Sequence, residues 1–289
     1  MSHFVVMVIG EDAEDQLSPY DEGIEVDEYC KGPLTDEDKK RMLDYYNGKG
    51  GVDYKTFDEC YEANGDHWDG GRCRKNEDGV WCEYSRYNPD SKWDWYVLGG
   101  RWSGAFIKLK PGRRGCKGEP GVFKNTVGVD VARKGDIDFD LIRREAAEKA
   151  RANYREVSDK FEYGIPKLEY TWKDIRSSRF DHLSWEERRN LYHNQPSMMI
   201  WKDAFKENAW RYDIDEYQCS EEEYVKRAVL LAFCPYALVK DGEWYAKGEM
   251  GWWGMSNDHM DQETWAHKVN ELVDSLSDDT LISFYDCHI

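Results

Sequence analysis

The sequence predicts an α+β fold: a discontinuous mixed sheet core built from N-terminal, middle and C-terminal strands, with a helical insertion projecting from it. Three observations point there. Short apolar runs with strand character stand near both ends, Phe4-Val5-Val6-Met7-Val8-Ile9-Gly10 and Leu281-Ile282-Ser283-Phe284-Tyr285, with a third at Trp93–Leu98. Residues 136–230 are instead rich in Ala, Arg, Glu and Lys and carry helix-start residues at intervals. Hydrophobic residues make up 40% of the 289 and aromatics 15%, enough to fill a core of this size. The expected organisation is a first part of the core over 1–135, with a loop-rich excursion at 47–92. The helical insertion over 136–230 and the C-terminal part of the core over 231–289 complete it.

The first apolar run is stopped by Gly10 and reads as a buried strand, followed by a turn-prone Ser18-Pro19-Tyr20-Asp21-Glu22. Thr35 and Asp36 open a helix that runs to about Tyr46 and ends at Asn47-Gly48. The Gly-, Asp- and Asn-rich residues 47–92 predict loops, with short strands near Trp81. Trp93–Leu98 and Gly104–Leu109 predict a strand pair around a Gly-Gly-Arg-Trp-Ser turn, and residues 111–121 a basic loop. A long helix runs from Leu141 to about Phe161, with Asp138 or Asp140 as N-cap, and would span roughly 30 Å. Ser184 with Glu187 forms a capping box for a helix ending near Asn194; two more cover about 198–210 and 220–233. Tyr236–Val239, the Lys240-Asp241-Gly242 turn and Glu243–Tyr245 form a hairpin, and a helix over about 262–276 precedes the last strand. With a strand near each end, the first and last strands are expected to share a sheet.

Net charge is −18, and the signs are segregated. Residues 1–30 hold nine acids and no Lys or Arg, whereas 101–135 hold nine Lys or Arg against Glu119 and Asp130. An acidic protein is repelled by phosphates, so direct nucleic-acid binding is not expected outside that basic stretch. No apolar run approaches the roughly 20 residues of a membrane span, so no membrane association is expected. The N-terminal residues lack the basic region of a signal peptide, and the eight scattered cysteines form no CxxC pair; together these predict free thiols and a cytoplasmic location.

Candidate chemistry is sparse. If the first and last strands are adjacent, His3, Asp286, Cys287 and His288 could converge, as a zinc site or a Cys nucleophile with a His base. Cys60, His67, Cys73 and Cys82 offer four soft ligands, but their spacing lacks the tight pairs of zinc ribbons and fingers. The alternating carboxylates of Asp136, Asp138 and Asp140 faintly resemble a calcium loop and are better read as an acidic helix start. Gly99-Gly100-Arg101 could cradle a phosphate, yet there is no Walker lysine and no GxGxxG after a strand. Glu249-Met250-Gly251-Trp252-Trp253-Gly254 is a second aromatic-glycine cluster, read as core packing at a tight bend. No catalytic residue, metal or cofactor is expected.

Four segments together resemble a family of proteins encoded mostly by bacteriophages. They are Ser2-His3-Phe4 with Val8-Ile9-Gly10 and Pro19-Tyr20-Asp21-Glu22; Lys92-Trp93-Asp94-Trp95-Tyr96 with Gly99-Gly100-Arg101-Trp102-Ser103-Gly104; Ala132-Arg133-Lys134-Gly135-Asp136-Ile137-Asp138-Phe139; and Asp286-Cys287-His288-Ile289. Within that landscape the chain is similar to the phage proteins that counter Gabija, a bacterial nuclease-ATPase defence complex. The resemblance implies a homo-oligomer that binds the host defence complex as a shell and obstructs DNA access, in the host cytoplasm. On this reading Trp93, Trp95, Gly99, Gly100, Arg101 and Trp102 are scaffold and family signature. Trp201, Trp210 and Tyr212, in the helical insertion, are the expected partner-binding anchors. The alternatives are a metal-assisted hydrolase or nucleotide-signal degrader using His3, Asp286 and His288, and an acidic DNA mimic competing for a basic groove.

Overall fold

The computed structural model describes residues 2–48, 53–122, 126–251 and 256–289, with only the backbone of Trp210. In chain order the elements are β1 (His3–Ile9), α1 (Ala13–Leu17), β2 (Glu25–Pro33), α2 (Asp36–Gly48), α3 (Phe57–Asp69), β3 (Cys73–Lys75), β4 (Trp81–Tyr87) and β5 (Trp95–Gly100). They continue with β6 (Glu119–Pro120), β7 (Val131–Arg133), α4 (Phe139–Ser158), α5 (Trp172–Ile175), α6 (Trp185–His193), α7 (Pro196–Phe205) and α8 (Glu221–Leu231). The last are β8 (Ala237–Lys240), β9 (Glu243–Ala246), β10 (Gly248–Met250), β11 (Ser256–Asp258), α9 (Gln262–Ser275) and β12 (Leu281–His288). The α+β class holds, and the chain forms two compact units: residues 1–16 with 96–289, and residues 17–95.

The larger unit is organised by a mixed sheet in the order β6-β5-β12-β1-β8-β9, with β7 also on β12. β1 and β12 pair antiparallel along their whole length, His3 opposite His288 and Ile9 opposite Ile282, so the first and last strands do share the sheet. On its other side β1 pairs parallel with β8. Phe4 to Ile9 are all buried, as a strand covered on both faces requires, which is why this run is continuously apolar rather than alternating. Val5, Met7, Leu238, Ile282 and Phe284 pack against Ile142 of α4 and Trp265, Val269 and Val273 of α9. The hairpin β8–β9 turns at Asp241 and Gly242, both at positive φ (54° and 77°), the geometry that matches the strands' twist. Among the described residues no helix is long and apolar enough to cross a membrane.

The helical segments start where their caps dictate. Asp138 accepts from the Leu141 amide at the head of α4. Thr171 with Asp174, Ser184 with Glu187 and Ser220 with Glu223 form reciprocal capping boxes on α5, α6 and α8. Their apolar faces meet in a second core of Val157, Ile175, Phe180, Tyr192, Met198, Trp201, Phe205, Ile214 and Tyr217. The helix expected over 198–210 is shorter at its end: α7 stops at Phe205, where Lys206 turns to φ 48°, and a 3-10 stretch covers Lys206–Arg211.

The unit of residues 17–95 has its own antiparallel sheet, β2-β4-β3, and its own core of Met42, Phe57, Cys60, Tyr61 and Cys73. Its two ends are stitched together: the Glu22 amide donates to Trp93 O (2.9 Å) and the Lys92 amide to Tyr20 O (2.8 Å). Residues 57–69, expected as loop, form the helix α3, opened by Thr56 accepting from the Glu59 amide and closed by Gly70 at φ 74°.

The pair of strands expected around the Gly-Gly-Arg turn is corrected as well. The first strand forms two residues later than expected, as β5 over Trp95–Gly100, and its sheet neighbours are β6 and β12. Residues 104–109 make only isolated bridges, Ile107 to Val129 and Leu109 to Ile137.

Candidate functional site

The Gly-Gly-Arg-Trp-Ser-Gly segment is a tight double turn built on two buried carboxylates. Gly99, Gly100 and Gly104 take positive φ (77°, 52° and 67°), and the Trp102 and Ser103 amides donate back to Gly99 O and Gly100 O. Asp286 Oδ2 accepts from the Arg101 amide at 2.9 Å. Asp130 Oδ1 accepts from the Gly104 amide (2.6 Å), and its Oδ2 from Ser103 Oγ (2.9 Å) and the Gly118 amide (2.8 Å). A Cβ on Gly100 would lie 2.4 Å from Asp286 Cβ, and one on Gly99 would lie 2.5 Å from Asp130 Oδ2, so glycine is obligatory at both places. Of the amides expected to cradle a phosphate, that of Arg101 is thus engaged by one of the protein's own carboxylates. Trp102 packs on the main core, Trp93 is buried, and Trp95 and the Arg101 side chain are exposed.

The strand ends bring together three of the four residues expected to converge. His3 Nδ1 and Asp286 Oδ1 are 2.8 Å apart, and the His3 and His288 rings meet edge-on at 4.9 Å. Cys287 lies between Asp286 and His288 in sequence, so the strand's alternation sends it to the opposite face. There it is fully buried, and burial pushes its thiol well above the ordinary range. A Cys–His couple is therefore not formed.

Cys60 and Cys73 belong to the core of the 17–95 unit, and burial raises the Cys73 thiol to about 12. Cys82 is buried on β4, and His67 sits on α3. Among the described residues no three His, Cys, Asp or Glu side chains are grouped to hold a metal ion. Of the acidic run, Asp138 is the α4 cap and Asp136 pairs with Arg113 at 3.3 Å. Much of the basic stretch is likewise engaged nearby: Lys108 faces Glu145, Arg133 faces Glu11, and Lys134 Nζ caps the end of α9 on the carbonyls of Asp274 and Leu276. Of the second aromatic-glycine cluster, residues 252–255 lie outside the described residues.

The helical insertion carries open apolar surface on two adjacent helices. Trp185 on α6 is 57% exposed, and Met199 and Ile200 on α7 are 65% and 53% exposed. Trp185 meets Trp172 edge-on at 5.4 Å, and Trp172 in turn meets Tyr192 at 5.0 Å. Behind these rings opens a cavity of about 490 Å³ walled by Trp172, Tyr192, Met198, Trp201, Tyr212 and Ile214. Asp213, Asp215 and Lys202 supply its charge, and His193 also lines it. Asp215 Oδ1 accepts from the Trp172 amide (2.9 Å) and Oδ2 from the Tyr192 hydroxyl. Burial holds the Asp215 carboxyl above its usual range, and the Asp213 and Asp174 charges add to the effect. Burial also depresses His193, with Lys202 and Arg189 adding to it.

The three expected anchors divide. Trp201 is 2% exposed and donates Nε1 to Tyr212 O at 3.1 Å, so it is a wall of the cavity and a core residue rather than a surface anchor. Tyr212 is half-buried on the same cavity and donates its hydroxyl to Glu156 at 2.9 Å. The side chain of Trp210 lies outside the described residues. Trp172, Trp185, Met199, Ile200 and Asp215 went unselected in the sequence. One signal was there: Met198-Met199-Ile200-Trp201 is four apolar residues in a row, more than one helix face can bury.

No protein-family model, curated protein or solved structure matches this chain.

Proposed function

We propose that this protein is a stoichiometric inhibitor that acts by protein–protein binding, with the helical insertion as its docking element. The observation that carries the reading is the exposure of Trp185, Met199 and Ile200 on adjacent helices of one small core. Side chains of this kind contribute about 1.5–3 kcal/mol each when an interface fully buries them, and tryptophan is enriched among the residues that dominate binding. The engagement of Asp130 and Asp286 by backbone amides favours a scaffold over an acid–base centre.

The target follows from the sequence resemblance: a bacterial anti-phage defence complex of the Gabija type, bound in the host cytoplasm by a homo-oligomer that blocks DNA access or cleavage. The test is to titrate purified protein against the reconstituted nuclease-ATPase. Cleavage should fall linearly until about one copy is present per target subunit, and a Trp185→Ala/Met199→Asp variant should need at least tenfold more protein, as expected when interface anchors are lost. Inhibition by trace amounts over many turnovers would mark a catalyst and overturn the proposal. A steep loss of inhibition with added salt would point instead to an acidic mimic of DNA.

A further inference from the structure

We propose that the cavity of the helical insertion is a receptor for a guanidinium group, an arginine side chain presented by a protein partner. At about 490 Å³ the cavity is in the size range of small-ligand sites. Its walls include four aromatic rings, Trp172, Tyr192, Trp201 and Tyr212, and two of its lining residues are the carboxylates Asp213 and Asp215. Aromatic rings with carboxylates make up the surroundings a guanidinium prefers, because it stacks on rings and pairs with carboxylates through a planar fork.

Asp215 has spent one acceptor site on each oxygen, for the Trp172 amide and the Tyr192 hydroxyl, which leaves further lone pairs for a fork of N–H donors. Asp215 feels Asp213 and Asp174, a repulsion that a bound cation would relieve; Lys202, also in the lining, leaves the two carboxylates in excess over one lysine. The occupant is a partner's side chain rather than a free metabolite because the cavity adjoins exposed apolar surface: Trp172 touches both Tyr192 in the wall and the exposed Trp185. An acidic protein of net charge −18 also complements a basic partner.

The inference rests on the docking role of the insertion, but its test needs no target. Full-length protein with 15N-labelled tryptophan indoles is titrated with Nα-acetyl-arginine methylamide, and separately with the uncharged citrulline analogue and the lysine analogue. Saturable shifts of the Trp172 and Trp201 indole signals are expected with the arginine probe alone. They should weaken about tenfold in Asp213→Asn, which keeps an acceptor at that position, as loss of a charge-assisted contact requires. Trp172→Leu gives a second variant, with circular dichroism confirming that each has folded. Absence of saturation, equal response to the citrulline probe or equal response to the lysine probe would overturn the proposal. Inhibition unchanged in a folded Asp213→Asn/Trp172→Leu double variant would overturn the partner's arginine as occupant while leaving the inhibitor reading intact. Arginine binding by a protein that inhibits nothing would sustain the receptor and remove only the inhibitor.

Discussion

Asp130 stands 26 residues downstream of Gly104, yet it accepts from Gly104, Ser103 and Gly118 at once. Its own backbone joins the sheet, where Asp130 O accepts from the Phe284 amide at 2.9 Å. A buried carboxylate is tolerable only when donors replace the water it has lost, and here the turn supplies them. The dependence runs both ways, since without Asp130 the buried Gly104 amide and the half-buried Gly118 amide lose this acceptor and Ser103 Oγ keeps only the longer contact to Gly118 O. Asp130→Ala should therefore cost on the order of 4 kcal/mol, summing about 1–3 kcal/mol for each orphaned donor after partial relaxation. Gly100→Ala should cost about 2 kcal/mol or more, because the residue sits at φ 52° and its methyl would collide with Asp286. Urea titrations followed by tryptophan fluorescence measure both, and a wild-type midpoint for either variant would show that the turn rearranges freely. Nothing in the local sequence announces this partnership. Gly-Gly-Arg is visible as a turn, but the residue that fills it lies on the far side of a loop.

At the scale of elements, the caps decide what was legible. Ser184 with Glu187 and Asp138 ahead of Leu141 are local signals with local consequences, and α6 and α4 begin where they direct. The helix α3 was hidden because Asp58, Asn64, Gly65 and Asp69 give it the composition of a loop; its Thr56 cap and Gly70 stop were the clues that composition outweighed. The strand imagined at Gly104–Leu109 failed for the opposite reason. Its apolar character is real, and Phe106 and Ile107 do pack on the core, but among the described residues it meets only the isolated bridges to Val129 and Ile137 rather than a ladder. The candidate cavity is legible only in part: Trp201 and Tyr212 stand out as aromatics of the insertion, with Lys202, Asp213 and Asp215 beside them in sequence, while Trp172, Trp185 and Tyr192 come from segments that only tertiary packing brings close. A cap-level expectation follows. Hydrogen bonds from Ser184 and Ser220 hold the Glu187 and Glu223 carboxyls below their ordinary values. A depressed acid contributes stability above its unfolded value, and that contribution disappears as pH falls through the folded value. Helix signal at 222 nm should thus decline below about pH 4.5, the region where unperturbed glutamates titrate. Ser220→Ala should cost about 1 kcal/mol at neutral pH and flatten this dependence. A variant with the wild-type pH profile would show that the box contributes nothing.

For the molecule as a whole, the division into two units has a direct test. Residues 17–95 form an uninterrupted stretch with their own sheet, their own core and hydrogen-bonded ends. Expressed alone, this segment should fold and show dispersed amide signals and a cooperative thermal transition; a collapsed, unstructured spectrum would mean that it depends on the rest of the chain. The larger unit is different, because its central strand has a partner at the other end of the sequence. β1 lies against β12 from His3 opposite His288 to Ile9 opposite Ile282. On a ribosome adding roughly 5–20 residues per second, β1 leaves the exit tunnel long before β12 exists. For most of that interval, many seconds, six consecutive apolar residues wait with both edges unpaired, because β8 is also made late, while residues 17–95 have time to complete their own fold. The central sheet consequently cannot close until β12 has been made, and the nascent chain's exposure to chaperones is set by the order in which its strands are written.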